Sequence, residues 1–518
     1  MQTSKVFRKN HMTYSQIIYT ALLVMLPSTF SAALSLSSAM NIARKNSTEI
    51  DQSRFEIRKE QANLFYSDRI YDTKLKLDSS QSRDGTQQET LSSITDATIT
   101  ASSFSLQKLF PWGFSTYGGI YQTKTEVEVP AAVLQAGQGP IYNPQFESEL
   151  RIGLQVDLWR NLANKEYDLL KNASRADLYT ASFTARIREQ AVLYETEKLY
   201  WKYLSMKSQS QVLAQLVKST SRFKKSMIQR AKLGRADQVD VAAAEALEIE
   251  NETNLLSARI SMAQIKQLLA LRIYGKLNQS SPLYIKSSTL PETAPYNLNI
   301  ETIGLNIVPQ SQYHQKYLNW GMKNRFDVKL LRQQQKSVRS AFLWANEIRK
   351  PNISMYAQAS AIGRGNNDQT SQEAADEVNQ QTVGIKLDWA IEGTEFKSKR
   401  MATIADRHII NAKINSIQKE LSESLAQSFA RIDGSKRRMK QSQRNLFSLN
   451  KKIKAETIKL SQARSDEVVV IKYKMEALAA KLKKLQAKEE YLQSYADLRF
   501  ALHKYPIVSD SQLQKLPN

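Results

Sequence analysis

The sequence contains four very long stretches without a single glycine or proline. They are rich in Ala, Leu, Lys, Glu, Gln and Arg, which are the best helix formers. They lie at residues 161–233, 235–274, 394–433 and 435–505. A single helix over the first stretch would be about 110 Å long at about 1.5 Å per residue. Since that is several times the diameter of a compact domain, the chain cannot fold as an ordinary globule.

Apolar residues in these stretches recur in alternating steps of four and three. One series runs from Leu199 to Ala231, and another runs from Leu255 to Leu269. The last stretch carries two adjacent series, which begin at Val470 and Met475. A seven-residue repeat creates a seam that packs against a partner helix. Two seams on one helix favour a sheet or ring of helices, and a solid helical bundle is the alternative.

Residues 146–159 and 382–391 alternate strictly between apolar and polar side chains. This pattern predicts strands with one apolar and one polar face. Further strands are predicted at 66–77, 99–110, 114–129 and 353–361. The apolar face would be core in a soluble sandwich, or would meet lipid in a membrane β-barrel, and the local pattern fits both.

The two halves of the chain correspond. Residues 152–157 match residues 383–388, and Gly234 to Val239 match Ala463 to Val468. Each half therefore reads as a helix, strands and a long helical hairpin, which predicts an internal duplication. The predicted organisation is a first repeat at 34–275 (strands over about 66–159, hairpin at 161–275), a linker at 276–324, a second repeat at 325–505 (strands over about 353–391, hairpin at 394–505) and a C-terminal tail at 506–518.

The segment from Met1 to Ala33 has the pattern of a secretory signal peptide. Lys5, Arg8 and Lys9 precede an apolar stretch at 17–26, and small side chains follow it at 31–33. The alternative is a short membrane anchor, but crossing a bilayer takes about 20 apolar residues. The sequence therefore predicts export, with cleavage after Ala33.

Nothing in the sequence predicts catalysis. The chain has no cysteine and four scattered histidines, so we expect no catalytic, cofactor or metal site. The net charge is +23, and residues 435–505 carry much of it. A basic stripe can indicate nucleic-acid binding. However, no reader motif accompanies it, and we interpret it as a solvated helix face that binds no nucleic acid.

The order of elements resembles the TolC-like outer-membrane channels of tripartite efflux pumps and type I secretion systems. Four motifs carry the resemblance, and together they span residues 34 to 505. They are Leu34 to Ala43, similar to the family's opening helix; Arg325-Phe326-Asp327, with Phe where the family has Pro; Pro351-Asn352-Ile353, which leads into a strand; and residues 230–241, similar to a periplasmic hairpin turn.

The resemblance implies a mixed membrane α+β fold. In it, a homotrimer closes one outer-membrane β-barrel with four to six strands per protomer, and a periplasmic α-helical barrel of coiled-coil hairpins continues it. The implied partners are outer-membrane lipid, a periplasmic adaptor and an inner-membrane transporter of the RND or ABC type. The strand positions implied to face lipid are Leu150, Ile152, Leu154, Val156, Val383, Ile385, Leu387 and Trp389.

The family's hairpin turns dock the adaptor, and acidic residues near them ring the tunnel entrance. By alignment, adaptor contact falls on Lys232, Leu233, Gly234, Ala463 and Arg464. The entrance positions are Asp240, Val469 and Lys472, so Lys replaces an expected carboxylate. A ring of lysines would repel cations, which predicts weak block by divalent cations.

Three functional hypotheses follow. The first is a passive trimeric exit duct, opened when the adaptor and an energised transporter engage. The second is an exported coiled-coil adhesin or scaffold without a pore. The third is a cytoplasmic nucleic-acid-binding coiled coil, which the signal segment counts against. The sequence names neither the cargo nor the class of transporter, so drug efflux and protein secretion both stay open.

Overall fold

The computed structural model describes residues 34–84, 96–128, 143–275, 285, 290–292, 311–375 and 379–506. The predicted signal peptide, most of the predicted linker and the tail from residue 507 lie outside these residues. The described chain divides into two compact units. One contains 49–84, 96–128, 143–191, 311–375, 379–427 and 498–506, and the other contains 34–48, 192–275, 285, 290–292 and 428–497.

The first unit contains one antiparallel sheet of six strands, paired in chain order from β1 to β6. The strands are β1 (Lys74–Asp84), β2 (Asp96–Leu109), β3 (Phe114–Glu128), β4 (Gln145–Asp157), β5 (Asn352–Gly365) and β6 (Gln380–Asp388). Strand β5 pairs directly with β4, although a long helical part of the chain lies between them in sequence. Segments from both predicted repeats therefore build a single sheet.

The prediction of a strand from residue 66 is wrong. Helix α2 (Thr48–Ser67) continues past that point, a 3-10 turn covers Asp68–Tyr71, and β1 starts only at Lys74. Conversely, β1 extends through residues 78–84, which lack apolar side chains and lie outside the strands predicted from the sequence. Backbone pairing with β2 holds this part of the strand, and the register runs unbroken to Asp84.

The remaining helices of this unit include α5 (Ser311–Asn324), α6 (Phe326–Ile348) and the short α7 (Asp368–Glu373). At the start of α6, the backbone N–H of Phe326 donates to Nδ1 of His503 at 3.1 Å. Burial, together with the nearby Arg325 guanidinium, lowers the pKa of His503 to about 4. Burial raises the pKa of Asp327, but the Arg325 hydrogen bonds and charge outweigh it, so that pKa is lowered. A neutral imidazole thus accepts the N–H that proline would lack.

The second unit is helical. It is built from α1 (Leu36–Asn46), α4 (Gln238–Tyr274) and parts of three longer helices: α3 (Lys165–Lys232), α8 (Thr394–Ser461) and α9 (Glu467–Ala501). Helix α8 passes through Gly434 without interruption. Among the described residues, no helix combines the length and the apolar character needed to cross a bilayer.

The four long helices of this unit pack side by side in the order α4, α3, α9, α8. The contacts that set this order are Lys224 with Glu245 between α3 and α4, Tyr194 with Asp497 between α3 and α9, and Leu449 with Ala477 between α8 and α9. The predicted seams lie at these packing surfaces, where Tyr203, Leu269 and Val470 are buried. Helices α4 and α8 each therefore lie at an edge of the layer.

Candidate functional site

One face of the sheet is apolar and open. The strand register aligns side chains in rows on this face, such as Leu77, Phe104, Ile120 and Leu150 across β1 to β4. Another row joins Phe114, Val156, Met355 and Ile385 across β3 to β6. Of the predicted lipid-facing positions, Val156 is half-buried and the other seven are exposed, with Val383 at 75%. A soluble sheet covers such a face, whereas a membrane barrel presents it to lipid.

The apolar face has the height expected for a bilayer. On β4 and the residues just after it, apolar side chains run from Leu150 to Leu158, which is about 27 Å at about 3.4 Å per residue. A strand tilt of about 40° reduces this to about 21 Å, close to the roughly 25 Å apolar band of outer-membrane barrels. The face therefore matches a hydrocarbon layer in height.

Three exposed tryptophans mark one end of this face. Trp112 lies in the β2–β3 turn, Trp159 follows β4, and Trp389 follows β6. The rings of Phe110 and Phe114 stack at 4.7 Å beside Trp112. Amphipathic rings concentrate where a bilayer meets water, so this end has the composition of a membrane interface.

The opposite face of the sheet is polar. Arg151 donates two hydrogen bonds to Glu149, and the hydroxyl of Tyr117 donates to Oε1 of Gln358 at 3.0 Å. The ring of Tyr117 also lies flat on Gly153, where any Cβ would collide with it. Such a polar face suits contact with water.

The tyrosine–glycine contact occurs twice. Tyr356 covers Gly384 as Tyr117 covers Gly153, and the two glycines occupy matching positions in the two predicted repeats. A ring lying over glycine restores the packing that a strand loses without a side chain. The same contact, a tyrosine ring over a glycine, therefore stabilises β4 and β6.

The sheet ends in two strands that each have one hydrogen-bonded neighbour in the described chain. Strand β1 pairs with β2 only, and β6 pairs with β5 only. Every side chain of β1 is exposed. Open strand edges do not occur in the hydrocarbon region of a membrane, so a lipid-facing sheet of this kind needs another sheet on each side.

The two hairpin turns of the helical unit close in the same way. Arg235 N–H donates to the Arg230 carbonyl at 2.8 Å, and Arg464 N–H donates to the Lys459 carbonyl at 2.8 Å. The residue before each donor is left-handed, with φ of 69° at Gly234 and 56° at Ala463. Both are helix-ending motifs of the Schellman type. The sequence alignment between these turns thus pairs residues with the same backbone geometry.

The turns present exposed side chains and are joined to each other. All five predicted docking residues are exposed, and Leu233 is 70% exposed although it is apolar. Arg230 Nη1 lies 2.7 Å from Asp466 Oδ2 and links one turn to the other. Behind the turns, a small apolar cluster contains Phe223, Met227, Ala244, Val468 and Ile471. The helix ends are therefore fixed, while the turn residues are free to contact another molecule.

In sequence, the chain matches no family model and no curated protein. In structure, it is similar to the outer-membrane channel OprN at 12% identity and a TM-score of 0.61, covering 90% of this chain and 89% of that one. It is similar to the outer membrane protein VceC from Vibrio cholerae at 11% identity and a TM-score of 0.61, covering 90% and 96%. It is also similar to the MtrE outer membrane channel of Neisseria gonorrhoeae at 12% identity and a TM-score of 0.59, covering 90% and 88%.

The chain has a TolC-like fold. The resemblance drawn from the sequence motifs is thereby confirmed at the level of fold. The chain covers most of each relative's length, so the likeness includes the strands and the helical hairpins together.

The predicted entrance residues of the TolC-like hairpins have different surroundings. The carboxylate of Asp240 accepts the backbone N–H of Asp237 at 3.2 Å and so completes a cap at the start of α4. Val469 is half-buried between two buried valines. Lys472 is exposed, with Nζ 5.8 Å from the centre of the Phe223 ring. Asp240 therefore caps a helix, and its function at an entrance stays a prediction.

Sequence reasoning missed several residues of the TolC-like sheet. Trp112 lies in a turn outside the alternating segments, and Trp159 is the last residue of one of them, although Trp next to predicted strand ends is a signal for a membrane interface. Tyr117 and Tyr356 were missed because only the three-dimensional register brings each ring onto a glycine of the next strand. Among the described residues, no group of histidine and acidic side chains is placed to hold a metal ion.

Proposed function

We propose that this chain is one subunit of an outer-membrane channel that serves as a passive exit duct of an efflux pump or type I secretion system. The exposed apolar face of the six-stranded sheet carries the proposal, because its height, its tryptophan end and its polar reverse side all suit a lipid-embedded wall. The TolC-like fold supports the same function. An adhesin or scaffold without a pore is not favoured, since it would need no such wall.

The open edges of the sheet support a trimer. Each copy brings six strands with one free edge on each side, so copies must join edge to edge to satisfy the backbone in lipid. Barrels of about 16–18 strands enclose an aqueous channel. Three copies of six strands reach that size, whereas two copies would give a narrower barrel.

The exposed hairpin turns support docking of a periplasmic adaptor. Leu233 is a large apolar side chain with most of its surface in water, next in sequence to the cation Lys232, and the second turn adds the exposed cation Arg464. Burying such a side chain against a partner lowers the free energy of the complex and so favours binding. We assign adaptor contact to the two turns, and opening of the duct to the adaptor together with an inner-membrane transporter.

Two measurements on the purified protein test the channel. On gels in mild detergent, the unheated sample should migrate as a trimer and the boiled sample as a monomer. In a planar lipid bilayer, the unheated sample should give discrete conductance steps. A chain that stays monomeric and water-soluble without detergent, and that gives no conductance, would refute the proposal.

A further inference from the structure

Helices α6 and α8 enclose a groove within the first unit. Its volume is about 720 Å³, which is enough for a small organic molecule. A hydrogen bond of 2.9 Å from Gln335 Nε2 to Asn411 Oδ1 joins the two helices along it. Nearer to the strands, the Lys399 ammonium of α8 lies 3.5 Å from the centre of the Trp344 ring of α6. Contacts within the chain therefore hold both walls of the groove in place.

Four cations line this groove, and none of the described carboxylates does. Arg332, Lys336 and Arg339 follow one another at steps of four and three, which places them on one side of α6. Arg407 lines the groove from α8. Among the described residues, none of the four forms an ion pair with a carboxylate. Like charges on one helix face repel one another, so an anion in the groove would remove an electrostatic cost.

The acidic residues that are nearest in sequence do not neutralise the groove. Helix α6 contains Asp327 and Glu347, and both are engaged elsewhere. Asp327 lies 2.5 Å from the Arg325 guanidinium, and Glu347 lies 2.8 Å from the Lys350 ammonium. On α8, Asp406 is exposed to water and does not line the groove. The groove therefore carries a net positive charge.

The end of the groove nearer to the strands is apolar. Phe342, Leu343 and Ile404 line it. Leu343 is 44% exposed and Ile404 is 41% exposed, so their apolar surfaces are open to a ligand. Along α6, Leu343 lies about 16 Å from Arg332 at about 1.5 Å per residue. The groove is therefore apolar at one end and basic at the other.

We propose that this groove binds a small amphiphilic anion. Its phosphate or carboxylate group lies among the cations, and its apolar chain lies against Leu343 and Ile404. Arginine supplies three of the four cations, and a guanidinium binds such oxyanions through two parallel hydrogen bonds. The apolar end removes the chain of the ligand from water. A neutral ligand would leave the cations unmatched, and an inorganic anion would leave the apolar end open.

The ligand is a free amphiphile and not a lipid of the bilayer. Helix α6 ends at Ile348, just before β5, and Arg332 lies about 24 Å from that end at about 1.5 Å per residue. In the proposed channel β5 lies in the membrane, whose headgroup layer extends only about 5–8 Å beyond the hydrocarbon. The basic end is therefore out of reach of a lipid that stays in the bilayer. This choice of source, unlike the groove itself, rests on the proposed function.

A fluorescent label at the edge of the groove tests binding. The chain has no cysteine, so Asn346→Cys, on the exposed side of α6, carries a single label. The full-length protein in a neutral detergent is titrated with octyl phosphate, inorganic phosphate, octanol and octyltrimethylammonium. Octyl phosphate should bind at least about tenfold more tightly than each of the other three. Equal responses to all the octyl compounds would reflect uptake by detergent micelles and would overturn the inference.

Removing charge from the groove tests the basic end. Arg339→Gln with Arg407→Gln should weaken the binding of octyl phosphate about tenfold, because the oxyanion loses one guanidinium from each wall. The matched control, Lys413→Gln with Lys419→Gln, removes the same charge from exposed positions of α8 that do not line the groove. The control should change the affinity by less than about twofold. Circular dichroism checks that both variants keep their helices.

A second double variant tests the apolar end. Leu343→Ser with Ile404→Ser should weaken the binding of octyl phosphate about fivefold, because the chain then lies against hydroxyl groups. The affinity for inorganic phosphate should stay unchanged, since the four cations are intact. An equal loss for both ligands would show that the substitutions disturb the whole groove, and would overturn the assignment of an apolar end.

The outcomes separate this inference from the proposed function. If the protein conducts as a trimer but the arginine variant binds octyl phosphate as well as the wild type does, the groove assignment is wrong and the channel stands. If octyl phosphate binds as expected but there is neither a trimer nor conductance, the groove stands and the channel is wrong. A response to vesicles that contain an anionic phospholipid, with none to octyl phosphate, would assign the groove to a membrane lipid and overturn the inference.

Discussion

The proposed lipid-facing wall predicts a sharp dependence of stability on where a charge is introduced. Leu154 is the middle of the five apolar positions from Leu150 to Leu158, and its side chain is 41% exposed. We expect Leu154→Arg to be strongly destabilising, because the guanidinium would lie near the middle of the hydrocarbon layer. Leu158→Arg, on the same face, should be tolerated.

The expected sizes follow from the geometry of β4. An arginine at the bilayer midplane of an outer-membrane barrel costs about 2–4 kcal/mol, and the cost falls to about 0–1 kcal/mol near the interface. Leu158 lies about 10 Å from Leu154 along the membrane normal at a strand tilt of about 40°. It lies next to Trp159 at the tryptophan end of the face. The free energies of unfolding of the two variants should therefore differ by about 2 kcal/mol, the difference between the midplane and interface costs.

The assay is folding into lipid vesicles, with the free energy of unfolding in urea read from tryptophan fluorescence. The control is Gln155→Arg, which places the same charge next to Leu154 on the polar face and should change the free energy by less than about 0.5 kcal/mol. If Leu154→Arg is as stable as Gln155→Arg, the apolar face does not meet lipid. The proposed wall would then be refuted.

Three further predictions concern the rest of the chain. The pKa of His503 in the folded protein, about 4, lies below its ordinary value of 6.5. The free energy of unfolding should therefore be at its full value above about pH 6.5 and fall by about 3 kcal/mol as the pH drops toward 4. Urea unfolding should show no such loss in His503→Gln, because the glutamine amide oxygen still accepts the Phe326 N–H. Ala463→Gly should stabilise the second turn by about 1 kcal/mol, whereas Gly234→Ala should destabilise the first by a similar amount, because no atom lies within 4 Å of the added methyl group and only the backbone conformation is strained. Lys472→Glu should convert a channel that is weakly blocked by divalent cations into one that is strongly blocked in planar bilayers.

Each of these predictions has a result that would contradict it. The histidine prediction fails if wild type and His503→Gln lose stability in parallel as the pH falls. The turn prediction fails if both substitutions shift stability in the same direction. Strong divalent block of the unmodified channel would show that Lys472 does not line the entrance.

The sequence was informative wherever one face of an element is apolar. Residues 146–159 and 382–391 alternate, and β4 and β6 lie there because the pattern records a strand with one apolar and one polar face. Residues 78–84 gave no such signal, since serine, glutamine and charged side chains occupy both faces of β1. Backbone pairing alone places them in the sheet, and side-chain pattern does not report on pairing.

Contacts between distant residues were beyond the sequence. Nothing local relates Phe326 to His503, although the histidine accepts the N–H that appears when Phe replaces Pro. An exposed apolar series on α4, from Val239 to Ala263, was missed for another reason. It includes alanines and a threonine, so the larger residues of the buried series gave the stronger apolar signal. Conversely, the alignment of the two turns was accurate, because their backbones close through equivalent hydrogen bonds.

The two open edges of the sheet impose an order on biogenesis. A single copy that completed its sheet in an aqueous compartment would expose an unpaired edge strand on each side and an apolar surface between them. Such a species is prone to aggregate before it meets the other subunits of the proposed trimer. The helices can fold early with little risk of aggregation. The strands are best paired last, when the other subunits of the proposed trimer and the bilayer are both present. Premature sheet formation, more than slow helix formation, should therefore limit the yield of correctly assembled protein.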